Sequence, residues 1–571
     1  MANSNTEEAA KGDITQKRFF VWLSLLCLAP LVCLFYELWH YPRLIAGGLA
    51  MRIMAASLLI KGELPYYDFW DWSQPIVFEM LKYPYMLCTT LQTWHVPITH
   101  AVFIPLVIFA LVIGSTLLTG AVCAQALNAA ERQTDSVVTT EESKSNRNVV
   151  VSCLLGLALT LLITRFDFGD LQYLFILAIV PWFCLRWFAH KQVKVQTALA
   201  AFTGIIAGIG ACLDLPYLFV YLILELTLVL QSRQWRCLLS TECLTFIGTV
   251  VANLLVLSQL PEPVYTAFWK WTMPLKWLNY SVFDSMIFAP QACPNRADVM
   301  YAMVAAGIVS FLLGKKYSIY IALPSLMFSG FALYLLEGQG ASHDLILAIF
   351  AITATFISVL LLGIQKLLAI MAERRPDFKL KVSNQSAYQA IVLIATVAAT
   401  AAVWQSLEHD RIQLENCTSA KCSQGKEQFE ALIEQTSKVG DSVSVISQNI
   451  EPAYPLLFLA GRKPGSYLLW NRPLWLFAWL KGHSQLTGPM KDFYDHTYAN
   501  IRSELEQNNT KVIVFSNPEP FDTFEHDQYL RSLQFNFEEL GKDGNYFSCE
   551  NHQPHEYSGY NFAYRFLVRR R

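Results

Sequence analysis

The stretch 62–75, GELPYYDFWDWSQP, sets two carboxylates, Asp68 and Asp71, among Tyr66, Tyr67, Trp70 and Trp72. Indoles and phenols gather where a membrane meets water, and acids held close to lipid are costly enough to need a partner or a purpose. A carboxylate in such a place suits abstraction of a proton from a hydroxyl. The expected division makes Asp68 the base and Asp71 its orienting partner or a metal ligand. A plain interfacial loop with acids facing water is the competing reading. Pro65 and Pro75 keep the stretch from forming a long helix, so the two acids share a face only over a local helical turn.

Three further groups carry chemistry-bearing side chains. In RFDFGD, Arg165 stands beside Asp167 and Asp170, either as a local ion pair or with Arg165 free to contact an anionic oxygen. The stretch 261–298 holds Lys270, Lys276 and Arg296 among Trp269, Trp271 and Trp277, which reads as solvated cations or as a surface for lipid or sugar. In EGQGASHD, His343 beside Asp344 is an interfacial hydrogen-bonder or a donor titrating near neutrality. Asp68, Asp71, Asp167 and Asp170 are oxygen ligands of the kind a hard divalent cation takes. Spacing does not show that they converge, so the cofactor stays open. Asp214, close to Pro216, reads as a turn marker.

These groups need a scaffold. The chain has 571 residues, 54% hydrophobic and 15% charged, with a formal net charge of -2. Charged residues make up nearer a quarter of soluble domains, so the composition is that of a membrane protein. No basic stripe with interleaved aromatics points to nucleic acid. Most cysteines, Cys153, Cys184, Cys212 and Cys243 among them, lie in apolar runs as small hydrophobes. No CxxC pair marks a zinc or redox site.

Residues 1–18 read as a cytoplasmic tail, with Lys17 and Arg18 preceding an uncleaved first span at about 19–39. Residues 43–61, with Arg43, Arg52 and Lys61, read as a helix lying along the interface, and 75–92 as a second one. Further spans are expected at about 97–120, 149–164, 171–189, 197–213, 215–230, 240–260, 299–314, 318–336, 345–365 and 387–404. Polar loops are expected at 125–148 and 366–385. About eleven transmembrane helices thus occupy 19–404, with a first outer loop over 40–96. With the N-terminus inside, most loop Lys and Arg fall inside, as orientation requires. Asp68, Asp71, Asp167, Asp170, Asp214, His343 and Asp344 then fall outside, in a plasma (inner) membrane protein. No nucleotide is available there, so a transferase needs a donor that crosses by itself.

Residues 405–571 are soluble in composition. Strand-like DSVSVIS, TKVIVFS, LQFNFEEL and GNYFSCE alternate with helical stretches at 425–438, 451–461, 491–508 and 525–533, which predicts a small extracytoplasmic α/β domain. No GxGxxG or P-loop supports a nucleotide site there. Cys417 and Cys422 are spaced closely enough to close a small disulfide loop in an oxidising compartment, while Cys549 has no obvious partner. The expected fold class is therefore a polytopic all-α membrane domain with a C-terminal α/β domain.

The chain resembles the integral-membrane glycosyltransferases of the GT-C superfamily, especially the dolichyl-phosphate-mannose-transferase-like and RgtA/B/C/D-like group. GELPYYDFWDWSQP is similar to that group's G-x-x-P-Y-x-D loop, RFDFGDLQYLFILAIVPW to its short outer turn before an apolar span, and EGQGASHDLIL to its glycine–histidine turn. The likeness covers most of 18–404 in layout and these three stretches in sequence. It implies an inverting transfer of a sugar from a polyprenyl-phosphate donor to an envelope glycan or lipid acceptor at the outer face. The catalytic base then falls on Asp68 or Asp71. Read from the residues themselves, the candidate substrate-binding positions are Arg165, Asp167, Asp170, Lys270, Lys276, Arg296 and His343. Many relatives carry an Asp-Glu pair after the first span; here that place reads HYPRLIAG. Two other classes compete: a transporter or flippase, and a non-catalytic envelope assembly protein. Transporters tend to show repeats and midplane charges, and apart from Glu225 the spans hold few.

Overall fold

A computed structural model describes residues 26–36, 38–39, 46–133, 140–281, 296–314, 317–337, 342–374, 389–403, 405, 433–446, 450, 453–506, 510–516, 537–540 and 564–569. The helices, in order, are α1 Leu26–Tyr36, α2 Gly47–Ile60, α3 Pro75–Thr93, α4 His100–Gln133, α5 Thr140–Ile163, α6 Leu171–Ala189, α7 Thr197–Leu213, α8 Leu215–Ser232 and α9 Thr241–Ser258. There follow α10 Glu262–Ala267, a π-helical turn Phe268–Thr272, α11 Met273–Ser281, α12 Arg296–Gly314, α13 Ile319–Glu337, α14 Ile346–Arg374 and α15 Gln389–Val403. Among the described residues seven helices are long and apolar enough to cross a membrane: α4 to α6, α8, α9, α13 and α14; α1, α2, α7, α12 and α15 are apolar but shorter.

Helix starts follow from local chemistry. Asp170 precedes α6 and accepts the Leu171 N–H at 2.6 Å, and Asp214 does the same for Leu215 ahead of α8. Each side chain thereby satisfies a backbone donor that the helix leaves orphaned. Pro75 and Pro216 sit in the first turns of α3 and α8, where the missing N–H costs nothing. Gly204 and Gly208 let α7 approach α9 closely: a Cβ on them would lie 2.3 Å from the Glu242 carbonyl oxygen and 2.6 Å from the Thr249 Cβ. Small residues four apart are what tight packing in lipid requires.

Four expectations need correction. The polar loop at 125–148 is largely helix, since α4 runs to Gln133 and α5 starts at Thr140. The run ALNAAERQ is made mostly of strong helix formers, which carry the helix past its apolar part. The basic loop at 366–385 is helical to Arg374 for the same reason. The loop at 261–298 is helical over Glu262–Ser281. Finally, α2 does not lie on a surface: twelve of its fourteen residues, Arg52 included, are buried against the protein.

The C-terminal region forms a five-stranded mixed sheet. Its strands are β1 Ser442–Ile446, β2 Lys463–Pro464, β3 Thr510–Ser516, β4 Phe537–Leu540 and β5 Tyr564–Arg569, in the order β2-β1-β3-β5-β4. β1 pairs parallel with β2 and β3, whereas β5 runs antiparallel to β3 and β4. Between them run α16 Ala453–Leu459, α17 Arg472–Gly482 and α18 Pro489–Glu506. The apolar runs SVSVI and TKVIVFS give the central strands, while β5 had no counterpart in the sequence reading. GNYFSCE, the stretch 525–533, Cys417, Cys422 and Cys549 lie outside the described residues.

Candidate active site

The acidic stretch folds as a compact turn between α2 and α3, and it points its two acids in opposite directions. Asp68 is exposed and spends its carboxylate on its own turn: Oδ2 accepts the Leu64 N–H at 2.7 Å. Asp71 is wholly buried. Its Oδ1 accepts the Ser73 N–H at 3.2 Å, and the Ser73 hydroxyl lies 3.3 and 3.2 Å from Oδ1 and Oδ2. The expected order of the two is thus reversed in geometry: Asp71 faces the protein, Asp68 the surroundings.

Arg52 of α2 is the hub beneath Asp71. Its Nε donates to the Ser73 hydroxyl at 3.0 Å and its Nη1 to Asp170 at 2.6 Å, with both ion-pair partners buried. A Cβ on Gly48, one helical turn before Arg52, would lie 2.8 Å from the Asp170 carboxylate, so only glycine leaves room for this pair. Asp170 is fixed in turn by Gly169, whose φ of +82° and contact with Leu49 suit no side chain.

A second ion pair lies alongside. Lys276 Nζ donates to both oxygens of Asp214 at 2.6 and 2.7 Å, and the two residues are 1% and 4% exposed. The ammonium also sits 5.8 Å above the centre of the Trp72 ring. The π-helical turn at Phe268–Thr272 precedes Lys276 and brings the Thr272 hydroxyl to the Trp70 indole N–H at 3.2 Å. Such wide turns recur at functional sites.

Around these pairs stand more acids and hydroxyls. Glu337 ends α13, and Asp344 lies in a 3-10 turn before α14; both are within electrostatic reach of Asp170 and Asp214. Burial and those carboxylates hold the Asp344 carboxyl well above its usual range. The Tyr280 hydroxyl is buried near Asp214, Glu337 and Asp344 and has no hydrogen-bond partner among the described residues. Burial also pushes Asp71 up, against the pull of Arg52, the Ser73 hydrogen bonds and Lys276. A carboxylate made more basic by burial, yet steadied by cations, suits a general base.

The sheet region roofs the site. Trp70 N–H donates to the Tyr467 carbonyl at 2.7 Å and Leu469 N–H to the Trp70 carbonyl at 3.0 Å. Trp72 meets Trp470 edge to face at 4.7 Å. Arg472 Nε donates to Asn279 Oδ1 at 3.1 Å, and Asn279 Nδ2 to the Glu337 carbonyl at 3.1 Å, which ties the sheet region to α11 and α13.

The sequence-derived residues distribute unevenly. Asp71, Asp170 and Lys276 converge on this site. Arg165 is buried in the 3-10 turn Arg165–Asp167 just before α6, and Asp167 is half-buried there within electrostatic reach of Asp344. Lys270 is exposed. The side chains of Arg296 and His343 lie outside the described residues. The sequence reading passed over Arg52, Asp214, Ser73, Tyr467 and Arg472 as site residues. A signal existed for two of them: Arg52 is the one charge inside an apolar fourteen-residue helix, and Asp214 directly precedes an apolar span. An ionisable group in such a setting needs a partner. Asp214 marks more than a turn, because it is half of the buried pair. Among the described residues no three His, Cys, Asp or Glu side chains are grouped to hold a metal ion.

No protein-family model matches the chain, and no curated protein matches it. The crystal structure of the Archaeoglobus fulgidus oligosaccharyltransferase in complex with Zn and sulfate is similar in layout, at 11% identity and a TM-score of 0.41, over 90% of this chain and 71% of that one.

Proposed function

We propose that the chain is a membrane-embedded glycosyltransferase that moves a sugar from a polyprenyl-phosphate donor to a glycan or lipid acceptor, with Asp71 as base. The observation that carries this reading is the burial of Asp71 beside two cations, Arg52 and Lys276, which are themselves held by Asp170 and Asp214. In this scheme Asp71 takes the proton from an acceptor hydroxyl as its oxygen attacks the anomeric carbon. The bond from that carbon to the phosphate oxygen breaks, and its electron pair leaves with the polyprenyl phosphate. Attack from the side opposite the leaving group inverts the anomeric centre. Arg52 and Lys276 offset the charge that grows on the departing oxygens, an effect worth most where water is excluded. Arg165 is a further cation for the phosphate. The active face is the outer one, where a lipid-linked donor is the available sugar source.

The test is a reconstitution. Purified protein in liposomes, supplied with a panel of polyprenyl-phosphate sugars and an envelope-glycan extract, is expected to release free polyprenyl phosphate in step with acceptor glycosylation. Movement of the intact donor across the bilayer without product would instead favour a flippase.

A further inference from the structure

The groups that act on Asp71 extend beyond the helical bundle. Ser73, which gives Asp71 its hydrogen bonds, is held through its carbonyl by the Tyr66 hydroxyl at 2.5 Å. Tyr66 is held in turn through its own carbonyl by the Tyr467 hydroxyl at 2.6 Å. The three side chains above Asp71 are wholly buried. A second observation bears on the same chain. Tyr66 has a φ of +65°, a left-handed conformation that a bulky residue adopts only when its surroundings impose it. What imposes it lies in the sheet region: the Tyr467 hydroxyl on the Tyr66 carbonyl, and the two backbone hydrogen bonds that pin Trp70 between Tyr467 and Leu469. The six residues from Tyr66 to Asp71 are thereby bent so that Asp68 points out and Asp71 in.

We infer that Tyr467 is a positioning residue for Asp71, acting through the Tyr66 and Ser73 carbonyls, so that the base is aligned only when the C-terminal sheet region is docked on the acidic loop. The inference rests on Asp71 being the base. It goes further by making a residue 396 positions away in sequence part of the catalytic apparatus. It gives the sheet region a task in catalysis besides any in binding.

The test compares Tyr467→Phe, Tyr66→Phe and the double variant in the reconstituted transfer assay, with Tyr494→Phe as a tyrosine outside the chain. Each single change removes one hydroxyl and keeps the ring, so the protein is expected to purify as a folded species. A lost hydrogen bond of ordinary strength predicts a fall in kcat of about three- to tenfold, with the donor KM unchanged within about twofold. Because the two hydroxyls act in series, the double variant is expected to fall no further than the worse single one. The acid limb of the pH–rate profile is expected to move to higher pH, because the Ser73 hydrogen bonds that favour the ionised carboxylate loosen. Full additivity in the double variant, or an unmoved acid limb with unchanged kcat in Tyr467→Phe, would overturn the inference. Should a single variant fail to fold, the carbodiimide reactivity of Asp71 in the other decides: protection equal to wild type overturns the inference, faster labelling supports it. Absence of transfer by the wild-type protein is a separate result and counts against the base assignment itself.

Discussion

Replacing Lys276 by methionine keeps the length of the side chain and removes its charge. The ammonium it takes away lies 2.6 and 2.7 Å from the two oxygens of Asp214, and both residues are almost fully enclosed. Asp214 would be left without its cation in a medium that solvates a carboxylate poorly. Breaking a buried pair from one side costs about 3–5 kcal/mol. Changing both partners, Lys276→Met with Asp214→Asn, removes the stranded charge and leaves an amide oxygen to accept the Leu215 N–H. Most of the loss should return, as a coupling energy of about 2–3 kcal/mol. Unfolding monitored by intrinsic fluorescence in detergent micelles measures all three variants against wild type. The reasoning fails if Lys276→Met costs less than about 1 kcal/mol, the figure expected of a hydrated surface pair, or if the double variant is no better than the single one.

At the other end of α6, Arg186 donates to both oxygens of Glu225 at 2.7 and 2.8 Å and to Glu242 at 2.6 Å. Arg186→Met strands two carboxylates and should cost at least about 3–5 kcal/mol in the same unfolding assay, while transfer by the folded fraction is retained because the cluster lies away from Asp71. Glu504 of α18 offers a pH test. Burial pushes its carboxyl up to about 8, against a hydrogen bond from the Tyr467 N–H and with Glu63 adding to the rise. Its folded value exceeds the ordinary 4.5, so its contribution to the docked state is complete below about 4.5 and is lost as pH rises through about 8. Protection factors of the segment 489–506, corrected for the intrinsic rise of exchange with pH, should therefore fall between about pH 4.5 and 8 in wild type and stay level in Glu504→Gln.

How much of this was legible in the sequence depends on the range of the interaction. The apolar runs at 171–189 and 197–213 match α6 and α7 residue for residue, because burial and a tight turn at either end leave no other solution. The acidic-aromatic stretch marked the site because carboxylates among indoles are unusual near lipid. What it left open was which acid turns inward. That choice is made by Tyr467 and Leu469, roughly four hundred residues away, which clamp Trp70 and hold Tyr66 in a left-handed conformation. No local pattern encodes such a clamp. Arg52 was visible as a charge in an apolar helix, but its partners, Ser73 and Asp170, come from two other segments. Lys276 stands among tryptophans on a stretch whose polar composition suggests a loop, and only the π-helical turn before α11 shows why it points inward while Lys270 stays exposed.

The account stands on Asp71 being the group that takes the acceptor proton, and comparing Asp71→Asn with Asp68→Asn measures that directly. Asparagine keeps the shape and the Ser73 contacts and removes the basicity, so Asp71→Asn should lower the rate of polyprenyl phosphate release by about 10²–10⁴-fold in liposomes with donor binding retained. Asp68→Asn should stay within about threefold of wild type, since its carboxylate serves only its own turn. Transfer by Asp71→Asn at the wild-type rate, or a loss confined to Asp68→Asn, would contradict the account.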